Sequence, residues 1–225
     1  MSELFVVRHG QASFGAKNYD KLSTLGLQQS VWLGEYFKLR QMSFSHLWMG
    51  DLVRHQETAQ GIVSQLFEPI SHTIISAFNE FDFQKVVHAY LKISPQDTLA
   101  NNAAPLAFYR LLKKAMVAWS QGQLAPDDLF ESWDSFRQRV AEGLTQISQN
   151  KADKPLLLVT SGGVIAMIMS IVLGLDARQV VELNLQIRNS SFSHFYFNKD
   201  RMRLSSFNNI THLDSPERMA SITFS

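Results

Sequence analysis

The chain has 225 residues, 45% of them hydrophobic and 18% charged, with a formal net charge of +1. That balance excludes a disordered chain and a basic, nucleic-acid-coating protein, and it leaves room for one substantial core. With Cys 0 there is no disulfide framework and no thiolate chemistry, which suits a reducing compartment.

Only four apolar residues stand between Glu3 and Arg8, too few for a secretory segment. The longest apolar-looking stretch, Val164 to Leu175, has 12 residues, about half of a membrane span. A cytoplasmic protein with neither a membrane nor a nucleic-acid partner is expected.

In chain order, Leu4 to Val7 is a continuous apolar run, the pattern of a strand covered on both faces. Asp20 to Gly26 reads as a turn leading into a helix whose apolar side is Leu25, Val31, Trp32, Tyr36 and Leu39. A second strand is predicted over Ser45 to Met49. A helix over Asp51 to Phe67 follows, with Val53, Ala59, Ile62, Val63, Leu66 and Phe67 facing inward. His72 to Glu80 is an extended segment and then a loop.

Two further helices are predicted, Ala107 to Ser120 and Glu131 to Ser148, the second carrying the stripe Trp133, Phe136, Val140, Leu144 and Ile147. Leu156 to Thr160 is the most strand-like run, and the stretch starting at Gly162 has the pattern of a buried helix. Phe192 to Phe197 and Met202 to Leu204 form a hairpin about Asn198, Lys199 and Asp200.

Strands alternating with helices predict an α/β fold, a three-layer sandwich with a mostly parallel central sheet. A single domain over 1–225 is expected, with a cap-like insertion at about 82–130. Such sheets take ligands beyond the carboxyl ends of their strands. The endings Arg8-His9-Gly10 and Ser161-Gly162-Gly163 are therefore expected to meet in one crevice.

A neutral histidine offers a ring nitrogen to an electrophile, and an adjacent arginine fixes phosphate oxygens through charge-assisted hydrogen bonds. Beyond that pair, the stretch from Arg8 to Ser30 resembles the histidine phosphatase superfamily, which includes the cofactor-dependent phosphoglycerate mutases. Arg8, His9 and Gly10 match its signature, and Asp20, Leu22, Ser23, Gly26 and Gln29 match its continuation. DLVRHQETA (Asp51 to Ala59) resembles the segment of a phosphate-binding arginine, here Arg54, and FNEFDF (Phe78 to Phe83) the segment of the acid, here Glu80. FESWDSFRQRV (Phe130 to Val140) looks like the family's late helix.

The resemblance implies that His9 accepts a phosphoryl group, that Arg8 and Arg54 offset charge on its oxygens, and that Glu80 protonates the leaving group. For that task Glu80 needs a raised pKa, which Phe78, Phe81 or Phe83 would supply while nearby cations oppose it. Asn18, Ser23, Ser161 and Gly162 are further candidates for contact with substrate or phosphate, with loop shaping as the alternative for Asn18 and Ser23. Phe78, Phe81, Phe83 and Tyr90 suggest a substrate with some apolar body. No cofactor and no metal are implied, since Arg8, His9 and Glu80 are not a ligand set.

One position departs from the family's pattern. Where a second histidine precedes Gly-Gly, this chain has Ser161, which donates one hydrogen bond but carries no charge. No other histidine is expected to replace it: His55 adjoins Arg54 on a helix whose neighbouring positions face different ways, and His88, which could descend from a lid in the insertion, and His194, on a strand that could flank the site, are read as surface or packing histidines. Three functions follow. The first is hydrolysis of a small phosphomonoester through phospho-His9, weakened by Ser161. The second is non-catalytic binding of a phosphorylated ligand, or an interaction protein, on the same fold. The third is mutase-type phosphoryl transfer. The oligomeric state is open, monomer or homodimer.

Overall fold

The run from Leu4 to Val7 is buried along its length because it occupies the interior of a sheet. The computed structural model describes residues 2–13, 20–100, 103–150 and 152–224. In it β1 (Ser2–Arg8) pairs in parallel with β4 (Leu156–Thr160) on one side and antiparallel with β5 (Phe192–Phe197) on the other. Outside β4 lie β2 (His46–Met49) and then β3 (His72–Ile74), both parallel, and outside β5 lies β6 (Met202–Asn209), antiparallel to it. The order is β3-β2-β4-β1-β5-β6, with β5 the strand that runs against the other five. The sheet is thus mixed and mostly parallel.

Alternate side chains of the central strands feed two cores. Phe5, Val7, Leu157 and Val159 pack with Leu33 and Phe37 of α1 (Thr24–Leu39) and Ala59 and Ile62 of α2 (Val53–Val63). Leu4, Val6, Leu156 and Leu158 face the larger cluster. That cluster takes in residues from α3 (Phe83–Ile93), α4 (Pro105–Ser120), α5 (Trp133–Ser148), α6 (Gly162–Leu173) and α7 (Ala177–Asn184). Each aliphatic side chain withdrawn in this way contributes about 1.5–3 kcal/mol before entropy is counted. Such a sheet, sandwiched between two helical layers, needs strands that are apolar on both sides, as β1 and β4 are.

Several local expectations require correction. The buried face of α1 is Gly26, Gln29, Ser30, Leu33, Gly34 and Phe37, whereas Leu39 is 82% exposed. Small residues bring α1 and α2 into contact: a Cβ on Gly34 would lie 2.5 Å from the Ile62 carbonyl oxygen, and one on Gly61 would lie 1.9 Å from Ser30 Oγ. The larger apolar residues are thereby turned to the flank. Helix α2 ends at Val63, so Phe67 falls beyond it and is exposed.

Two helices, α3 and α7, were not foreseen, although each has a side-chain cap, Asp82 and Asp176. The segment 83–128 supplies α3, α4 and two 3-10 turns, Pro95–Asp97 and Pro126–Asp128, and among its described residues no strand. The buried stripe of α5 includes Phe136, Val140, Leu144 and Ile147, as its spacing predicted. No helix of the described residues is long and apolar enough to cross a membrane.

Candidate active site

The two Gly-rich endings meet because β1 and β4 are adjacent and in register, Arg8 opposite Thr160. The His9 amide donates to the Thr160 carbonyl at 2.9 Å, so residues 9 and 161 leave the sheet side by side. Beyond His9 the chain runs tightly against α1, where a Cβ on Gly10 would lie 2.3 Å from the Gly26 carbonyl oxygen. Only glycine fits that approach. The Gly10 amide donates to Thr58 Oγ1 at 3.0 Å, which ties the loop to α2 as well.

This turn orients the histidine. His9 Nδ1 lies 2.7 Å from the Gly10 carbonyl oxygen, a partner that accepts only, so Nδ1 carries the proton and Nε2 keeps its lone pair. His9 is 5% exposed. Burial, and then the charges of Arg54 and Arg8, hold its pKa well below the ordinary imidazole value, against the raising influence of the Gly10 hydrogen bond. The ring is therefore neutral near pH 7, with a lone pair on Nε2.

Both guanidinium groups act on this ring and on the Glu80 carboxyl group, which places the four groups in one electrostatic neighbourhood. Arg54 comes from the first turn of α2 and pairs with Asp20 Oδ1 at 2.8 Å, while Asp20 Oδ2 accepts from the Val53 amide at 2.9 Å. One carboxylate thus caps the helix and aims its arginine. Arg8 Nη1 donates to the Ile187 carbonyl.

Glu80 follows the 3-10 turn Ser76–Phe78, and its Oε2 accepts from the Gly163 amide at 3.0 Å. Burial raises its pKa, opposed by that amide, by Arg54 and Arg8, and by the Phe81 amide. The carboxyl group keeps its proton to higher pH than an exposed glutamate, as a general acid must. The loop is fixed from behind by Arg139 of α5, which donates to the carbonyls of Ala77 and Asn79 at 2.9 and 2.8 Å and forms a bidentate pair with Glu131.

The other candidates divide. Ser23 caps α1, accepting from the Gly26 amide at 3.0 Å, and donates to Gln11 Oε1 at 2.8 Å, so its observed bonds shape the loop. Asn18 lies outside the described residues. Gly162 opens α6, where a Cβ would meet Asn184 Oδ1 at 2.8 Å and approach Arg8 Nε to 3.6 Å. Of the aromatic residues that suggested an apolar substrate body, Phe78 and Phe81 belong to the core, while Phe83 and Tyr90 pack partly buried against it. Among the described residues no three His, Asp or Glu side chains cluster as a metal site.

Ser161 stands at the N-cap of α6 but makes no side-chain cap bond; its Oγ instead lies 2.7 Å from His55 Nε2. The expectation that His55 points elsewhere is wrong. Arg54 and His55 sit in the first turn of α2, where side chains project past the helix end. The arginine reaches Asp20, and the imidazole turns toward the end of β4, its ring centroid 5.8 Å from that of His9. A histidine in the first turn of the helix that carries the arginine was the available signal. His88 is exposed on α3, and His194 on β5 stacks on Phe5 with its Nε2 2.8 Å from Glu3.

A family model described as the histidine phosphatase superfamily (branch 1) matches residues 4–210. The chain belongs to the histidine phosphatase superfamily. Among curated relatives, a probable phosphoglycerate mutase of Salmonella arizonae is 25% identical over 227 residues, covering 96% of this chain and 97% of that protein. Among solved structures, a phosphoserine phosphatase of Entamoeba histolytica in complex with 3-phosphoglyceric acid superposes with TM-score 0.67 at 19% identity, covering 95% and 100% of the two chains. A phosphoglycerate mutase of Bacillus anthracis gives TM-score 0.66 at 17% identity, covering 94% of each. At these identities the superpositions speak for the histidine phosphatase fold alone, in which both mutases and phosphatases occur.

Proposed function

We propose that this histidine phosphatase-superfamily protein hydrolyses small phosphomonoesters through a phospho-His9 intermediate. The single observation that carries the reading is the 2.7 Å contact from His9 Nδ1 to the Gly10 carbonyl oxygen, which leaves Nε2 as a lone-pair nucleophile beside two arginines.

In the first step His9 Nε2 attacks phosphorus, the N–P bond forms, the P–O ester bond breaks, and the leaving oxygen takes the Glu80 proton. In the second step water gives a proton to the Glu80 carboxylate and attacks phosphorus. The N–P bond breaks and inorganic phosphate leaves. Throughout, Arg8 and Arg54 face charge on the nonbridging oxygens.

A small phosphorylated molecule is the partner, and the cap-like insertion at about 82–130 is read as the cover that selects it. The names of the curated relatives favour a second reading, in which the phosphoryl group returns to another hydroxyl of the same substrate.

The test is a panel of phosphomonoesters, including 3-phosphoglycerate, scored for free phosphate and for the isomeric ester. Released phosphate that disappears in His9→Ala supports hydrolysis. Isomer without phosphate supports the mutase. Binding of phosphate without turnover supports the non-catalytic reading.

A further inference from the structure

The pair His55–Ser161 is built into the floor of this site and has no place in the mechanism above. Both residues are 0% exposed, and Nε2 and Oγ lie 2.7 Å apart. The imidazole presses on Gly50, where a Cβ would lie 2.3 Å from Nδ1 and 2.8 Å from Cε1, so residue 50 has to lack a side chain for the ring to fit. Among the described residues Nδ1 has no hydrogen-bond partner. A buried polar ring with one nitrogen unsatisfied is costly, and its position is otherwise unexplained.

The hydroxyl has two possible roles. If His55 carries its proton on Nδ1, Ser161 donates to Nε2 and turns only lone pairs outward. If the proton is on Nε2, His55 donates to Ser161, and the seryl proton is left to point at an incoming anion. An anion held by Arg8 and Arg54 stabilises the second arrangement, because it needs the donor. Burial and the Arg54 charge keep the ring neutral, so a single proton decides between the two.

We propose that Ser161 donates a hydrogen bond to a nonbridging oxygen of the phosphoryl group transferred to His9, and that His55 is the positioning residue that orients the hydroxyl through its Nε2–H. The inference rests on the phosphoryl-transfer reading. It assigns to two residues on different elements, α2 and β4–α6, the role that a second histidine at position 161 would fill alone.

The test uses the full chain, with p-nitrophenyl phosphate for turnover and vanadate for binding by calorimetry. His55→Ala and Ser161→Ala are each expected to lower kcat about 10- to 100-fold, the range for loss of one transition-state donor, with KM changed about 3-fold or less. The double variant is expected to be no slower than the worse single variant, since the two residues act as one donor.

The amide nitrogen of glutamine reaches about as far as Nε2, and that of asparagine only as far as Nδ1. His55→Gln should therefore recover most of the rate and His55→Asn should not. A packing role does not separate these two variants. Multiplying losses in the double variant, equal rates for the Gln and Asn variants, or single variants within twofold of the parent overturn the proposal. If the His55 variants do not fold, Ser161→Ala, which removes one atom, decides it: an unchanged kcat overturns the proposal.

A parent without turnover, or a His9→Ala variant as fast as the parent, defeats the phospho-His9 reading instead. The proposal then stands or falls on vanadate affinity, with the same pattern of single, double and Gln variants expected in Kd and an unaltered Kd overturning it.

Discussion

The carboxylate of Glu80 accepts a hydrogen bond from the amide of Gly163 at 3.0 Å, which joins the loop after β3 to the first turn of α6. No side chain can be placed between them: a Cβ on residue 163 would stand 2.2 Å from Glu80 Oε1 and 2.7 Å from Phe81 Cε1. Gly163→Ala should therefore displace the acid rather than unfold the protein. The expected outcome is a loss of about 10- to 100-fold in kcat on alkyl phosphates, with a smaller loss on p-nitrophenyl phosphate, whose leaving group needs no proton. Steady-state kinetics on the two substrates checks it.

In the proposed mechanism Glu80 and His9 also set the pH profile. The raised pKa of Glu80 keeps it protonated above the ordinary carboxylic range, and the lowered pKa of His9 keeps it neutral below the ordinary imidazole range. The competent form has both properties, so activity on alkyl phosphates should fall on the alkaline side as Glu80 ionises and on the acid side as His9 takes a proton. Glu80→Gln should lower kcat about 100-fold and remove the alkaline limb. A pH–rate profile of parent and variant measures both.

Stability carries the same sign. A carboxyl group whose folded pKa is raised contributes least once ionised, so its contribution is fullest below about pH 4.5 and is lost as pH rises through the folded value. Relative to Glu80→Gln, the parent should lose melting temperature over that interval, as measured by thermal denaturation across pH.

The Asp20 carboxylate serves Arg54 and the start of α2 together. Asp20→Asn keeps the shape and removes the charge. Loss of one charge-assisted bond, about 1.5–3 kcal/mol, should weaken phosphate binding by about 10- to 100-fold and lower the melting temperature. Isothermal calorimetry with phosphate and a thermal melt separate the two effects.

Arg139 reaches neither His9 nor the guanidinium groups, yet it holds two carbonyls of the segment that delivers Glu80. The side chain of its partner Glu131 is 10% exposed, so Arg139→Met leaves a largely buried carboxylate unpaired. The expected cost is about 3 kcal/mol of stability, read by urea denaturation, together with a loss of turnover on alkyl phosphates.

Much of the geometry of this candidate site is legible in the sequence. The runs Leu4–Val7 and Leu156–Val159 are apolar without interruption, the pattern of strands in the interior of a sheet, and the pairing of those strands brings residues 9 and 161 together. The inward face of α1 was not legible, because a small-residue contact leaves no hydrophobic stripe: Gly34 and Ser30 are buried while Leu39 is exposed. His55 was misjudged by treating a first-turn residue as if it sat in mid-helix, where neighbours diverge. The work of Asp20 and Arg139 depends on partners 34 and about 60 residues away, separations at which sequence spacing carries no signal.

The most direct measurement is to mix the protein with a turning-over phosphomonoester, quench in alkali to preserve an N–P bond, and map the modified peptide by mass spectrometry. One phosphoryl group on His9, absent from His9→Ala, which also has no turnover, is the result expected. Turnover that persists in His9→Ala, or proceeds with the phosphoryl group on another residue, contradicts the account.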